Sequence, residues 1–288
     1  MRQIILKAYA KINLGLDVLR RREDGYHEVR MIMQSVSLYD KLILKKIAKD
    51  EIILSSNVGA LPNNEKNLVY KAISLMKTEY GITGGVRAEL EKRIPMAAGM
   101  AGGSTDAAAA LIGMNKLFHL QLSQEQLMEL GVKIGADVPY CILSGTALSE
   151  GIGEVLTPLK PMPHCYILIA KPRISVSTRF VYENLEADKL SYHPDIDGML
   201  QAIEEEDLQG VTDRLSNVLE TVTEKKYPII GKIKATMMEN GAMNALMSGS
   251  GPTVFGIFAD EDTARKALLE VRKIEMVKNS YVVEPFQP

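Results

Sequence analysis

Apolar and polar side chains interleave along the first 55 residues, with many β-branched positions, and the pattern predicts strands over Ile4–Ala8, Ile12–Leu19, Val29–Leu38 and Leu42–Ile47. Glu23-Asp24-Gly25 is a turn signal between two of them. Asn57–Lys66, with Pro62 and three asparagines, reads as a loop. Helical spacing follows over Leu68–Met76, then a strand over Val86–Leu90. A glycine- and alanine-rich loop after Pro95 runs into a small-residue helix over Ala107–Leu117. Ser123 and Gln126 form a capping box for a helix reaching about Ile134, stopped by Gly135. Thr146–Leu156 has the look of a hairpin.

Pro158, Pro161 and Pro163 cluster within Thr157–Pro163, and a domain boundary is expected there, giving domains 1–158 and 159–288. Beyond it come a strand over His164–Ala170 and helices over Arg179–Leu185, Pro194–Glu205 and Ile229–Asn240. Strands at Ala245–Ser248, Thr253–Phe258 and Tyr281–Glu284, with a helix over Asp262–Val271, complete the pattern. Antiparallel strands backed by helices place the chain in the α+β class.

Composition narrows the function. Of 288 residues, 46% are hydrophobic and 24% charged, which suits a globular chain. The formal charge of −2 argues against a nucleic-acid partner. Two cysteines, Cys141 and Cys165, argue against a disulfide framework or a four-ligand zinc site, and both read as buried and inert. No apolar run is long enough for a membrane span, and Lys7 and Lys11 interrupt the N-terminal stretch before a signal core forms. A cytoplasmic enzyme or small-molecule binder is the expectation. Charge is uneven: residues 183–224 hold twelve acids against Lys189 and Arg214, read as a solvated helical face, and residues 1–30 hold seven bases against four acids.

Walker, Rossmann, zincin and nucleophile-elbow motifs are absent, and His27, His119, His164 and His193 have no metal-ligand spacing. The positive signal is Pro95-Met96-Ala97-Ala98-Gly99-Met100-Ala101-Gly102-Gly103-Ser104-Thr105-Asp106-Ala107-Ala108. Its glycines let backbone amides turn toward one point, and Ser104 is expected where a helix begins, so orphan N–H groups and the positive dipole end suit nucleotide phosphates. Ser104 and Thr105 offer hydroxyls for hydrogen bonding or for magnesium. Taken alone, the segment also reads as a flexible turn with an N-cap.

This loop resembles the phosphate loop of the GHMP kinases, which phosphorylate small alcohols. Ala10-Lys11-Ile12-Asn13-Leu14 and Met247-Ser248-Gly249-Ser250-Gly251-Pro252-Thr253-Val254-Phe255-Gly256 match the same superfamily in order. Arg22–Glu28 and Gly135-Ala136-Asp137-Val138-Pro139 resemble its branch acting on a cytidine diphosphate-linked methylerythritol. Met100, Ala101 and Thr105 depart from the Leu, Gly and Ser of many relatives, which puts the fine loop geometry at issue.

The resemblance implies a two-domain kinase whose N-terminal domain carries the phosphate loop over Pro95–Thr105 and whose C-terminal domain is ferredoxin-like. It implies ATP and Mg2+ as cofactors, with metal ligands unassigned, and transfer of the γ-phosphoryl to the 2-hydroxyl of the methylerythritol unit. It makes Asp137 the catalytic base and Lys11 its partner, which by spacing alone are an ordinary ion pair. Asn13 matches a contact to the methylerythritol end, and Tyr26 and His27 line the cytidine pocket. A second aromatic is needed over the pyrimidine, with Tyr182 the candidate and Phe180 the competitor. Gly249-Ser250-Gly251 combines a tight turn with a place beside the phosphate loop. Met237, Met238, Met243 and Met247 read as core fillers. Other small alcohols (homoserine, mevalonate, a sugar) or a silent nucleotide-binding regulator are the alternatives, and a monomer or homodimer is expected.

Overall fold

The computed structural model describes residues 2–288. Two strands open the chain, β1 over Gln3–Arg21 and β2 over His27–Ile47. Each is continuous where two shorter strands are expected from sequence. The expected breaks fall at Lys11 and Asp40, which are 5% and 0% exposed and paired inside the protein instead of interrupting the strands.

Residues 1–10, 38–96 and 101–143 form one compact unit; residues 11–37, 97–100 and 144–288 form the other. A single cut at the proline cluster therefore does not describe the division. In the first unit, β4 (Gly85–Glu91) pairs antiparallel with Lys41–Ile47 of β2 and parallel with β3 (Ile52–Ser56). Strand β3 was not expected; it is five residues long, with little alternation to announce it. The inward-facing Leu42, Leu44, Leu54, Val86 and Ala88 share a core with α1 (Leu68–Glu79) and α2 (Gly102–Phe118). Small residues bring α2 close: a Cβ on Gly113 would lie 2.6 Å from Leu44 and 2.8 Å from Leu6. The capping box at Ser123 is present and starts α3 (Gln124–Val132). Then comes α4 (Val138–Leu143), a short apolar helix with too few residues to show a helical period.

In the second unit, β5 (Thr146–Glu150) and β6 (Val155–Pro158) form the expected hairpin, and β5 pairs with Met31–Gln34 of β2. Next are β7 (Tyr166–Pro172), α5 (Thr178–Glu183), α6 (Ile196–Glu204) and α7 (Leu208–Asp213). The two-residue β8 (Ser216–Asn217) pairs parallel with Gly15 and Leu16 of β1. After α8 (Glu220–Lys226) and α9 (Ile229–Glu239) the chain runs through β9 (Asn244–Met247), β10 (Val254–Phe258), α10 (Glu261–Arg272) and β11 (Val277–Val283). These strands and β7 make an antiparallel sheet in the order β11-β7-β10-β9, on which α9 and α10 pack. Ile230, Ile233 and Met237 of α9 and Ala264, Ala267, Leu268 and Val271 of α10 are the buried helix positions. Met238 points the other way and is 45% exposed, so it is no core filler. Cys165 is buried, and burial pushes its thiol up to about 12; Cys141 is only half-buried, contrary to expectation.

Candidate functional site

The glycine loop contributes to both units, and each part has its own geometry. In the first unit the helix α2 starts at Gly102, two residues ahead of Ser104. The expectation that Ser104 opens the helix is corrected: Ala101 is the N-cap, left-handed at φ 54°, and makes no side-chain cap bond. Non-glycine residues in that region cost about 1–2 kcal/mol. Gly102, Gly103 and Ser104 occupy the first turn, where amides lack helical acceptors, and no acidic side chain sits there to claim the positive dipole end. That is an anion-accepting helix end. The Thr105 hydroxyl is already committed, donating to the Tyr9 carbonyl at 2.7 Å.

Behind this helix end lies a cluster that the sequence pattern does not announce. The Lys92 ammonium donates to Asp106 at 2.6 Å, to the Gly102 carbonyl at 3.2 Å and to Asp40. Asp40 also accepts the backbone N–H of Ile94 at 2.8 Å and of Arg93. All three side chains are buried. Burial pushes the Asp106 carboxyl well above its usual 3.8; Lys92 opposes the shift and Asp40 adds to it as a like charge. Truncating Lys92 would leave the buried Asp40 carboxylate without its cation, a change on the order of 3–5 kcal/mol. The signal available in sequence was charge at Lys92 and Asp106 flanking a glycine loop, which a solvated surface accounts for equally well. Asp137, half-buried, directly precedes α4 and its carbonyl accepts the Cys141 N–H at 3.0 Å.

In the second unit Lys11 donates to the Asn13 side chain at 2.6 Å, and both residues are buried in β1. The Lys11 N–H reaches the Met100 carbonyl at 3.3 Å. Beside them is the turn Ser248–Gly251, with positive φ at Gly249 and Gly251. A Cβ on Gly249 would lie 3.4 Å from Asn13 Oδ1 and 3.7 Å from Lys11 Nζ, so the bare glycine leaves that approach open. Ser248 donates to the Gly99 carbonyl at 3.0 Å, and a Cβ on Gly99 would stand 2.2 Å from the Ser248 carbonyl. Gly99 is thus required by close packing as well as by its φ of 73°. The structure brings together Lys11, Asn13, Gly99 and the C-terminal glycine turn within this unit.

His27 and Tyr182 also meet, ring centroids 5.1 Å apart and planes tilted 40°. Burial, and then Arg21, hold the His27 imidazole below its usual 6.5. Tyr26 is 61% exposed. The Phe180 ring is covered by the Lys226 ammonium at 3.6 Å.

The family profile described as GHMP kinases N terminal domain matches residues 67–145, and that described as GHMP kinases C terminal matches residues 199–276. The chain belongs to the GHMP kinase family. This GHMP kinase is 57% identical over 288 residues, the whole of both chains, to a 4-diphosphocytidyl-2-C-methyl-D-erythritol kinase from Lachnospira eligens. It is 56% identical to the enzyme of that name from Lachnoclostridium phytofermentans, covering 99% of this chain and 98% of the relative. A crystal structure of 4-(cytidine 5'-diphospho)-2C-methyl-D-erythritol kinase superposes with a TM-score of 0.85 at 32% identity, covering 99% of this GHMP kinase and 100% of that chain. A homoserine kinase from Cytophaga hutchinsonii shares the fold, with a TM-score of 0.77 at 20% identity. Among the described residues no helix is long and apolar enough to cross a membrane.

Proposed function

We propose that this chain is the ATP-dependent kinase of 4-diphosphocytidyl-2-C-methyl-D-erythritol, phosphorylating its 2-hydroxyl in isoprenoid biosynthesis. The observation that carries the reading is full-length identity of 57% to a relative bearing that activity in its name.

In this reading the substrate hydroxyl attacks the γ-phosphorus of ATP, a new O–P bond forms, the bond to the β-phosphate oxygen breaks, and ADP leaves. Asp137 takes the hydroxyl proton as base. Lys11, a buried ammonium held by Asn13, offsets charge on the transferred group. Pro95–Thr105 cradles the ATP phosphates, with the first-turn amides of α2 as donors. Asn13 meets the methylerythritol end. Cytosine lies against Tyr182, with His27 at its polar edge and Tyr26 at the rim. Lys226 already covers Phe180, which supports Tyr182 over its competitor.

Among the described residues no group of three or more His, Cys, Asp or Glu side chains gathers to hold a metal. Magnesium would arrive with the nucleotide, and the Ser104 hydroxyl, half-buried in the first turn of α2, would be the protein oxygen nearest the phosphates. Bound there, magnesium supplies charge neutralisation to the phosphates.

Asp137→Asn and Lys11→Ala each lower kcat by about two to four orders of magnitude, the range for a proton-transfer group or a charge stabiliser, while the circular dichroism spectrum stays unchanged. Stopped turnover assays on the purified variants test this. A folded Asp137→Asn protein with near-normal kcat removes the base assignment.

A further inference from the structure

One short segment, residues 217–223, grips the glycine turn from behind. Asn217 is 1% exposed and uses every polar atom of its side chain. Its amide donates to the carbonyls of Met247 and Gly249, both at 2.8 Å, and its oxygen accepts the Leu219 N–H at 2.9 Å. Glu220 accepts the Met247 N–H at 2.7 Å while its other oxygen meets Lys234 at 2.9 Å. Thr223 donates to the Ser250 carbonyl at 3.3 Å. The grip is itself anchored, because β8 pairs with β1 at Gly15 and Leu16, in the strand that carries Lys11 and Asn13.

Two turn carbonyls are thereby fixed by one amide. A peptide plane whose carbonyl direction is set has its other atoms set as well. Gly249 is held with its Cα toward Asn13 and Lys11, and Ser248 with its hydroxyl on the Gly99 carbonyl. With neither donor the Met247 and Gly249 carbonyls would be left buried and unsatisfied, and the turn would relax to find partners.

We propose that Asn217 is a positioning residue for phosphoryl transfer, setting the Ser248–Gly251 turn that bonds Gly99 and stands beside Lys11 and Asn13. This rests on the kinase reading above. Asn217 touches no reacting group; it acts through Gly249 and Ser248. Small misplacements at such a site cost rate out of proportion to stability.

The test is Asn217→Asp, which keeps the shape and removes both donors, assayed for ADP release with ATP and 4-diphosphocytidyl-2-C-methyl-D-erythritol from pH 5.5 to 8.5. A carboxylate facing two carbonyls is disfavoured, so its proton is retained into this range and restores one donor when bound. The expected result is a kcat at least tenfold below the unsubstituted enzyme at pH 8, with KM for the acceptor within about threefold. The ratio of variant to parent kcat climbs as pH falls. Thermal melts at each pH correct for the folded fraction. Asn217→Ser serves if the aspartate variant does not fold, with the same tenfold loss of kcat expected. A folded variant whose kcat lies within threefold of the parent overturns the proposal, as does a pH-independent ratio for Asn217→Asp. An inactive parent enzyme instead overturns the assignment of the reaction.

Discussion

A neutral imidazole both donates and accepts a hydrogen bond, and His27 is kept neutral near pH 7 by burial and by Arg21, which hold it below 6.5. It packs next to the Tyr182 ring, and in the proposed reading it faces a base whose edge has both kinds of group. Protonation in acid removes the acceptor. KM for the cytidine-linked substrate therefore rises as pH falls through the depressed value, whereas above it KM is flat. Steady-state kinetics from pH 5 to 8 on His27→Gln, whose amide donates and accepts without titrating, gives a flat KM over the same range. Parallel slopes in parent and variant would remove His27 from the cytosine edge. Residues of this kind were partly legible in sequence. Lys11, Asn13 and Gly99 stand inside short motifs whose residue order is hard to account for by packing alone. Asp40, Lys92 and Asn217 do not, because each bonds to groups far along the chain: Asp40 to residue 94, Lys92 to residue 102, Asn217 to residues 247 and 249.

Helix α2 behaves similarly as an element. Its buried small-residue face was readable from composition, and its C-terminal end from the pattern, but its start was not. The first turn is Gly-Gly-Ser, which carries no helix propensity to announce it, and the N-cap Ala101 makes no side-chain bond. Tertiary anchoring supplies what propensity lacks: Lys92 holds the Gly102 carbonyl, and Thr105 reaches Tyr9. The long strands β1 and β2 were read as four for a related reason, since buried polar residues look like breaks until their partners are known.

Asp106 links this anchoring to pH. Its carboxyl titrates above 3.8 in the folded protein, chiefly from burial. Below 3.8 the group is protonated in folded and unfolded chains alike and its contribution to stability is complete. As pH rises the unfolded chain ionises first, so that contribution is lost progressively until the folded group ionises too. Asn cannot ionise and keeps an acceptor for Lys92. Urea unfolding from pH 4 to 8 is expected to show the parent losing stability relative to Asp106→Asn as pH rises. A constant difference across that range would mean Asp106 is ionised throughout.

In the chain as a whole, two compact units each hold part of the proposed machinery. The helix end, the Lys92 cluster and Asp137 lie in one; Lys11, Asn13, the glycine turn and the His27–Tyr182 pair lie in the other. The α+β class and the longer elements were legible from periodicity, and the family from three motifs spread between positions 10 and 256. The interleaving of segments 11–37 and 97–100 with 144–288 was not, since long strands shared by both units leave no mark in composition. A net charge of −2 is compatible with an anion-accepting helix end built from backbone amides.

The roles assigned to these residues all depend on the reaction itself. ADP release by the purified chain with ATP and magnesium, measured with 4-diphosphocytidyl-2-C-methyl-D-erythritol and in parallel with mevalonate, homoserine and galactose, tests it. Turnover is expected with the cytidine-linked acceptor, with phosphate appearing on its 2-hydroxyl by phosphorus NMR and the other three at background. Turnover with one of those three alone, or with no acceptor, would contradict the assignment.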